Sequence, residues 1–389
     1  MSRVPIVIKI IIQKMKHIVN KPHIVIDARL YGPKHTGLGR YTKNLLVALI
    51  KLPNFNKYKF TLLIYPELKA EIKGDLGKNF NYFITNIRHY SIIEQILLPI
   101  ILKYLQPDLV HFTHIDKPIL YLNKSVVTVH DLIKLFSKGQ ETTTKFILFY
   151  WIRYFAYLLM THVILKTSYV IVPSNFWRDY IIKKYQFNPQ KIITTYEAVD
   201  PNLSPKIVNC KLKIENYILY TGNLYPHKNI NIVFQALQQL PKLKLKIISK
   251  ASVFQKRAVN LVKKLNISSQ VEFLGYVPDN KFADIYQNAL ALVHPAFLEG
   301  FSLTGLEAMA QNCPVIASNA SCLPEVYSDS VLYFDPSKPN QLIKQIKNLQ
   351  TNPKLRQQLI TKGHQQVAKY SWATCAKLTL DFYSKSISN

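Results

Sequence analysis

Cysteine is scarce: Cys210, Cys313, Cys322 and Cys375 are the four among 389 residues, and none has paired spacing. That argues against a disulfide-stapled scaffold and a cysteine-built zinc site, and makes a reducing cytoplasm the expected setting. Glycine is also sparse, at 11 residues, while hydrophobic residues reach 48%, ample for packed cores. Acidic residues number 22 against 50 Lys and Arg, a formal charge of +28. An imbalance of this size predicts an anionic partner (membrane, nucleic acid or phosphorylated substrate) without choosing among them. Lysines spread over both halves argue against a nucleic-acid reader, which needs a basic stripe with stacking aromatics. Residues 1–22 lack a small-residue cleavage site, and Lys9 and Lys14 interrupt their apolar run. They read as a basic N-terminal extension and not as a signal peptide.

The most informative stretch is residues 299–314, Glu-Gly-Phe-Ser-Leu-Thr-Gly-Leu-Glu-Ala-Met-Ala-Gln-Asn-Cys-Pro. Apolar runs at 291–294 and 314–318 read as buried strands on either side of it, and 304–311 carries helix formers with little β-branching. The pattern is strand, loop, helix, strand. Glu299 falls in the loop, and Glu307 in the first turn or so of the helix. Ser302, Leu303 and Thr304 present backbone N–H groups at the helix start, which suits a phosphate. Two carboxylates beside a phosphate make sense if they accept hydrogen bonds from hydroxyls on either side of it. A sugar nucleotide, with ribose, diphosphate and hexose, has that layout.

Earlier in the chain, 23–27 reads as a first strand leading into Tyr-Gly-Pro-Lys-His-Thr-Gly-Leu-Gly-Arg-Tyr. Gly37 and Gly39 permit close approach of backbone to a ligand. No third glycine follows, so this is not a full dinucleotide fingerprint. His130 and Asp131 end a later strand, where open α/β sheets place their ligands, and an imidazole there suits proton work. His111 and His114 are weaker candidates for the same cleft. Residues 145–166 form an apolar, aromatic-rich run about the length of a membrane span. Arg153 and His162 argue against spanning, and the strand that follows makes a buried crossover helix the expectation, ahead of an interfacial one. Residues 201–213 are rich in turn formers and read as a linker. The strand–glycine–helix pattern then restarts at 217, with Gly222 and Asn223 in the loop and Lys228 beside the next helix start.

The Glu-Gly-Phe-(small)-Leu-x-x-Leu-Glu-Ala-Met-Ala segment followed by Pro-Val-Ile resembles the signature of retaining GT-B glycosyltransferases, a family that includes bacterial mannosyltransferases and sucrose and glycogen synthases. The resemblance runs from 23 to about 385 and implies an α/β fold of two Rossmann-like domains facing across a cleft. Expected are an acceptor-side domain at 23–200, the linker at 201–213, a donor-binding domain at 214–370, and a helix at 371–389 packing back on the first domain. By the same likeness Glu299 orients the donor hexose, Glu307 holds the nucleotide ribose, and Lys228 meets the diphosphate with the helix start at 302–304. Gly37, Gly39, Gly222 and Asn223 line the donor, and His130 contacts the reacting sugar. The family's usual arginine after the glycine is replaced by Asn223, a gap that His227 or Arg40 would have to fill. Glu325 matches a family position that reads as structural.

With no Asp-x-Asp motif in a suitable loop, no metal and no obligatory cofactor are expected. The expected partners are a nucleotide sugar, GDP-mannose first, and a saccharide or polyprenyl-linked acceptor in cell-surface polysaccharide synthesis. The setting is cytoplasmic, peripheral on an anionic membrane surface. A nucleotide-sugar epimerase on the same fold is the alternative enzyme. A phosphorylase is disfavoured, because no cofactor-lysine context is evident.

Overall fold

The computed structural model describes residues 21–137, 147–203, 214–275, 277 and 279–389. The basic extension at 1–22, the linker at 201–213 and the start of the 145–166 run therefore lie wholly or mainly outside the described residues, as does Cys210.

The first half runs β1 (His23–Asp27), α1 (Thr36–Leu49), β2 (Lys59–Ile64), α2 (Lys69–Leu76), β3 (Asn81–Ile84), α3 (Ile92–Leu105), β4 (Leu109–Phe112), β5 (Ser125–Thr128), α4 (Ile147–Thr167), β6 (Tyr169–Val172), α5 (Asn175–Tyr185) and β7 (Ile192–Thr194). The second runs β8 (Tyr217–Thr221), α6 (Ile230–Gln238), β9 (Lys244–Ile248), α7 (Val253–Lys264), β10 (Val271–Phe273), α8 (Asp279–Gln287), β11 (Ala291–His294), α9 (Leu303–Ala310), β12 (Val315–Ser318), α10 (Leu323–Tyr327), β13 (Leu332–Phe334), α11 (Pro339–Thr351), α12 (Pro353–Val367) and α13 (Trp372–Ser388).

Each half builds one sheet, ordered β3-β2-β1-β4-β5-β6-β7 and β10-β9-β8-β11-β12-β13. The strand pairs are parallel throughout, with β1 between β2 and β4, and β8 between β9 and β11. Parallel sheets are covered on both faces, which is why β1, β4, β5, β11 and β12 are buried along their whole length. These are two Rossmann-like domains, as the sequence predicts. Strand order reverses between β1 and β4 and again between β8 and β11, and the carboxyl ends of those strands are where such sheets bind ligands.

Helix α13 leaves the second half and packs on the first. Trp372, Cys375, Ala376, Leu380, Phe382 and Tyr383 share one core with Ile24 and Ile26 of β1 and with Tyr41, Leu45 and Leu49 of α1. The Tyr383 hydroxyl and Thr128 hold the two ring nitrogens of His111. His111 is therefore a core residue and does not face the cleft.

A second tie joins the domains at the start of α5. Ser174 stands at the N-cap, but its hydroxyl does not cap the helix. It donates to the Gly300 carbonyl of the other domain at 2.8 Å. The capping acceptor comes from across the seam: Glu325 takes the backbone N–H groups of Asn175 (2.6 Å) and Phe176 (2.9 Å) and the Tyr196 hydroxyl (2.9 Å). A carboxylate at a helix amino end also meets the positive pole of its dipole. Glu325→Ala is expected to cost about 1–2 kcal/mol, the range of a lost N-cap, and to loosen the domains. Urea unfolding read beside limited proteolysis at the seam checks this; unchanged stability would make Glu325 a surface acid.

Candidate functional site

The second domain supplies the most tightly built part of the cleft. Strand β11 ends at His294 and β8 at Thr221, so the loops that follow meet at the point of strand reversal. Glu299, 6% exposed, lies in the loop after β11. Lys228, from the loop after β8, donates to both of its carboxylate oxygens at 2.7 and 2.6 Å. His294 Nε2 lies 2.7 Å from Oε1 of the same carboxylate. Burial pushes the Glu299 carboxyl up, but the Lys228 ammonium and the His294 hydrogen bond outweigh it and hold the group well below the usual carboxylate range. Glu299 is thus a fixed negative charge. The His294 ring is oriented in turn by the Tyr327 hydroxyl, 2.9 Å from Nδ1.

At Ser302 the backbone enters the left-handed region (φ 82°), uncommon for a non-glycine residue, and α9 begins at the next position. The Tyr327 hydroxyl donates to the Ser302 carbonyl and accepts from the Gly305 N–H, each at 3.0 Å, which holds the turn. Ser302, Leu303 and Thr304 are only partly buried, so the amino end of α9 stands open to the cleft. Glu307 is the fifth residue of α9, just past its first turn. What faces it is Arg40 of the other domain, Nη1 to Oε1 3.2 Å. Burial raises the Glu307 carboxyl above its ordinary value, and the Arg40 guanidinium only partly offsets that.

Gly222 and Asn223 lie exposed at the end of β8. Gly222 has φ +129°, a conformation that favours glycine, and open space where a side chain would stand. His227 is held down to about 4 by burial and by neighbouring Lys228, so it is neutral at pH 7 and cannot supply the cation absent at Asn223. Of the two candidates for that gap, Arg40 is the one that remains charged.

The first domain contributes less than expected in one respect and more in another. Gly37 and Gly39 lie inside the first turn of α1, not in a loop ahead of it. Gly37 faces open space, but a Cβ on Gly39 would fall 2.0 Å from the Gly32 carbonyl. Gly39 therefore answers an internal contact. His130 has both ring nitrogens engaged, Nε2 on the Thr113 carbonyl at 3.0 Å and Nδ1 on Glu197 at 3.2 Å. Its ring stands edge-on to Tyr41, with centroids 4.6 Å apart. Burial lowers its pKa, but Glu197 more than compensates, so the imidazole is pushed above its ordinary value. What His130 brings to the cleft is its own carbonyl, 2.5 Å from where a Cβ on Gly300 would lie. Asp131 follows, one oxygen taken by the Ile133 N–H at 2.9 Å.

The sequence did not single out His294, Tyr327 or Glu197. His294 ends a strand beside the glutamate motif, and that position was a usable signal. Tyr327 and Glu197 have none, because their partners lie 33 and 67 residues away.

Among the described residues, His89, Glu94 and Asp116 bring one potential metal-ligand atom each within 4.8 Å of one another. Arg29 already occupies that cluster. Its guanidinium donates to Asp27 (2.8 and 2.6 Å) and to Glu94 (2.6 Å), with Arg29 fully buried. The group is a buried ion network with its cation in place.

The described geometry has counterparts among known proteins. A family model for glycosyl transferases group 1 matches residues 208–366, and one for glycosyltransferase family 4 matches 35–203. O-antigen chain mannosyltransferase B of Escherichia coli is 30% identical over 227 residues, 55% of this chain and 60% of its own length. The chain thus spans less than two thirds of that relative. O-antigen chain mannosyltransferase RfbU of Salmonella typhimurium is 28% identical over 380 residues, 93% of this chain and 100% of its own. Anabaena HepE, solved in complex with UDP and glucose, superposes with a TM-score of 0.71 at 14% identity, covering 94% of this chain and 100% of that one.

Proposed function

The chain belongs to the glycosyltransferases whose group 1 and family 4 models match its two halves, and from that premise we propose that it is a retaining hexosyltransferase using a nucleotide-diphospho-sugar. The observation that carries the reading is the convergence of Lys228, Glu299 and the open start of α9 at the strand reversal of the second sheet. Each has one part of such a donor to meet. Glu307 accepts from the ribose hydroxyls. The diphosphate lies against the N–H groups of Ser302, Leu303 and Thr304, with Gly222 and Asn223 bordering it. Glu299, permanently ionised, accepts from the hexose hydroxyls.

Lys228 links the two ends. An ammonium has three protons, and two are directed at Glu299, which leaves one for the departing phosphate. As the glycosidic oxygen bond breaks, charge grows on the diphosphate. The lysine and the helix terminus are already placed to stabilise it, so no metal is required in the scheme. The acceptor hydroxyl attacks from the first-domain side on the same face, and the departing phosphate takes its proton. His130, its ring held by Glu197 and the Thr113 carbonyl, lies there, with Gly37 and Arg40 at the rim. The near contact of the His130 carbonyl with Gly300 narrows the cleft and limits hydrolysis by water.

Mannose, carried by GDP, is the proposed donor sugar, on the strength of the two O-antigen mannosyltransferases the chain is similar to. A saccharide or polyprenyl-linked saccharide of a cell-surface polysaccharide is the proposed acceptor. A thermal-shift panel of nucleotide sugars tests the donor site. GDP-mannose or another nucleotide diphosphate is expected to raise the melting temperature, and Glu307→Ala to remove most of that rise while leaving the unliganded melt within about 2 °C, since the variant loses one pair to a half-exposed Arg40 and is relieved of a buried carboxylate. No shift with any nucleotide sugar, or an undiminished shift in the variant, refutes the assignment.

A further inference from the structure

Seventeen of the twenty large hydrophobic side chains that stand exposed among the described residues fall between Ile84 and Leu159. They concentrate on α3, α4 and the loop carrying Leu120 and Leu122. The sequence expectation of a buried crossover helix at 145–166 is corrected here: only 28% of the apolar window in α4 is buried. One face of α4, with Tyr157, Met160 and Ile164, packs on the sheet in the same core as Leu98 and Leu102 of α3. The opposite face, with Trp151, Ile152, Phe155 and Leu159, has no layer above it. Helix α3 repeats this: Ile92, Ile93, Ile96 and Ile100 point outward, with Ile92 83% exposed. A sheet needs only one face of each covering helix to be apolar, so the outer apolar faces serve something else.

Lys134 ties the two helices together at one edge. The Lys134 ammonium lies 5.1 Å from the Tyr90 ring, just before α3, and 5.2 Å from the Tyr157 ring in mid-α4. Gln95 of α3 accepts the Ile119 N–H at 2.8 Å and so holds the Leu120 loop alongside. The exposed charges on the two helices are of one sign, although Asp108 stands exposed just past the end of α3. Arg88, Lys103, Lys124, Arg153 and Lys166 are exposed, whereas Glu94 and Asp116 are buried in the Arg29 network. A second copy of this face would bring two basic rims together. An anionic bilayer would neutralise them while taking up the apolar side chains. Helix α4 is long enough to cross a bilayer, but its inner face belongs to the domain core, which keeps it parallel to the surface.

We propose that the outer faces of α3 and α4 insert into the interfacial layer of an anionic lipid membrane and dock the first domain there. The cleft opens beside this face, since Lys134 on its edge is three residues from Asp131. The docking stands on the burial pattern; only its purpose, reaching a lipid-linked acceptor, rests on the transferase reading.

Trp151 provides the test, because Trp177 and Trp372 are buried at 0% and 7% while Trp151 is 42% exposed. The full chain is mixed with vesicles of phosphatidylcholine containing phosphatidylglycerol, with and without brominated acyl chains. Expected are co-flotation, a blue shift of tryptophan emission and quenching by the brominated lipid. Pure phosphatidylcholine should bind at least about tenfold more weakly, as two or more basic contacts are lost. Ile96→Glu and Phe155→Glu should each lower partitioning about tenfold or more with the melting temperature and the nucleotide-sugar shift unchanged. Absence of flotation at low salt overturns the proposal. So does flotation without quenching, which would place the contact elsewhere, and so does self-association abolished by the same two substitutions. A lost nucleotide-sugar shift with intact flotation would instead strike at the donor site alone.

Discussion

Lys228→Ala is expected to lower kcat/KM by about 10²–10³, the effect of removing one preorganised electrostatic stabiliser of a leaving group. The same substitution strands Glu299. That carboxylate is 6% exposed and keeps only His294 once the two Lys228 hydrogen bonds are gone. Breaking one side of a buried ion pair costs about 3–5 kcal/mol, and the figure here is smaller because the Lys228 side chain is 24% exposed and water enters in its place. The pH dependence has a definite sign. Glu299 has its folded-state pKa depressed, so its contribution to stability is present above the unfolded value of roughly 4.3 and is lost as pH falls towards the folded one. Removing Lys228 shrinks the depression. Wild type and variant should therefore differ most above about pH 5 and converge in acid. Melts at pH 7 and pH 4 read this directly. Lys228→Ala with Glu299→Gln should regain stability without regaining activity. If Lys228→Ala alone keeps kcat/KM within about threefold of wild type, the lysine is not the leaving-group stabiliser.

Gly300→Ala is expected to separate donor binding from turnover. Gly300 needs no unusual backbone angle, since it is absent from the glycines with positive φ. Its constraint is space: a Cβ would sit 2.5 Å from the His130 carbonyl oxygen, a backbone atom of the opposite domain, and 3.6 Å from the Asp131 Cβ. The seam must open to admit it. The Ser174 hydroxyl bond to the Gly300 carbonyl and the Trp177 indole bond to the Glu299 carbonyl, both 2.8 Å, would lengthen with it. Misplacement of the two half-sites by about 1 Å is enough for a loss near 10² in kcat/KM. The donor half lies within the second domain, so the thermal shift with nucleotide sugar should persist. Small-angle scattering should report a larger radius of gyration than wild type. Wild-type turnover in this variant would mean that the seam is not closed during the reaction.

The fold was legible because parallel strands buried on both faces read as uninterrupted apolar runs, and β1, β5, β8 and β11 are such runs. Glu299 and Glu307 were legible because a strand, a loop and a helix follow one another between residues 291 and 310. The charge balance around them was not. His294, Arg40 and Glu197 act through partners brought near only by the folded sheets. Gly39 of α1 shows a different kind of signal. A Gly-x-Gly after a strand suggests a ligand, yet Gly39 is fixed by the Gly32 carbonyl. At α4 the composition was correctly read as apolar, but composition does not say which face of a helix the sheet will cover.

Helix α13 has a consequence for how the chain is made. Domains emerging from a ribosome generally fold in order, as synthesis proceeds at about 5–20 residues per second. Here the first sheet shares its core with Trp372, Leu380 and Tyr383, near the far end of the sequence. Its strands are all available after residue 194, but one side of β4 and β5 stays partly uncovered until the last helix arrives. The first domain must wait, partly open, while the second is translated and folds. A chain with this wiring spends its nascent life with an apolar sheet face exposed, and its dependence on chaperones should be set by that interval.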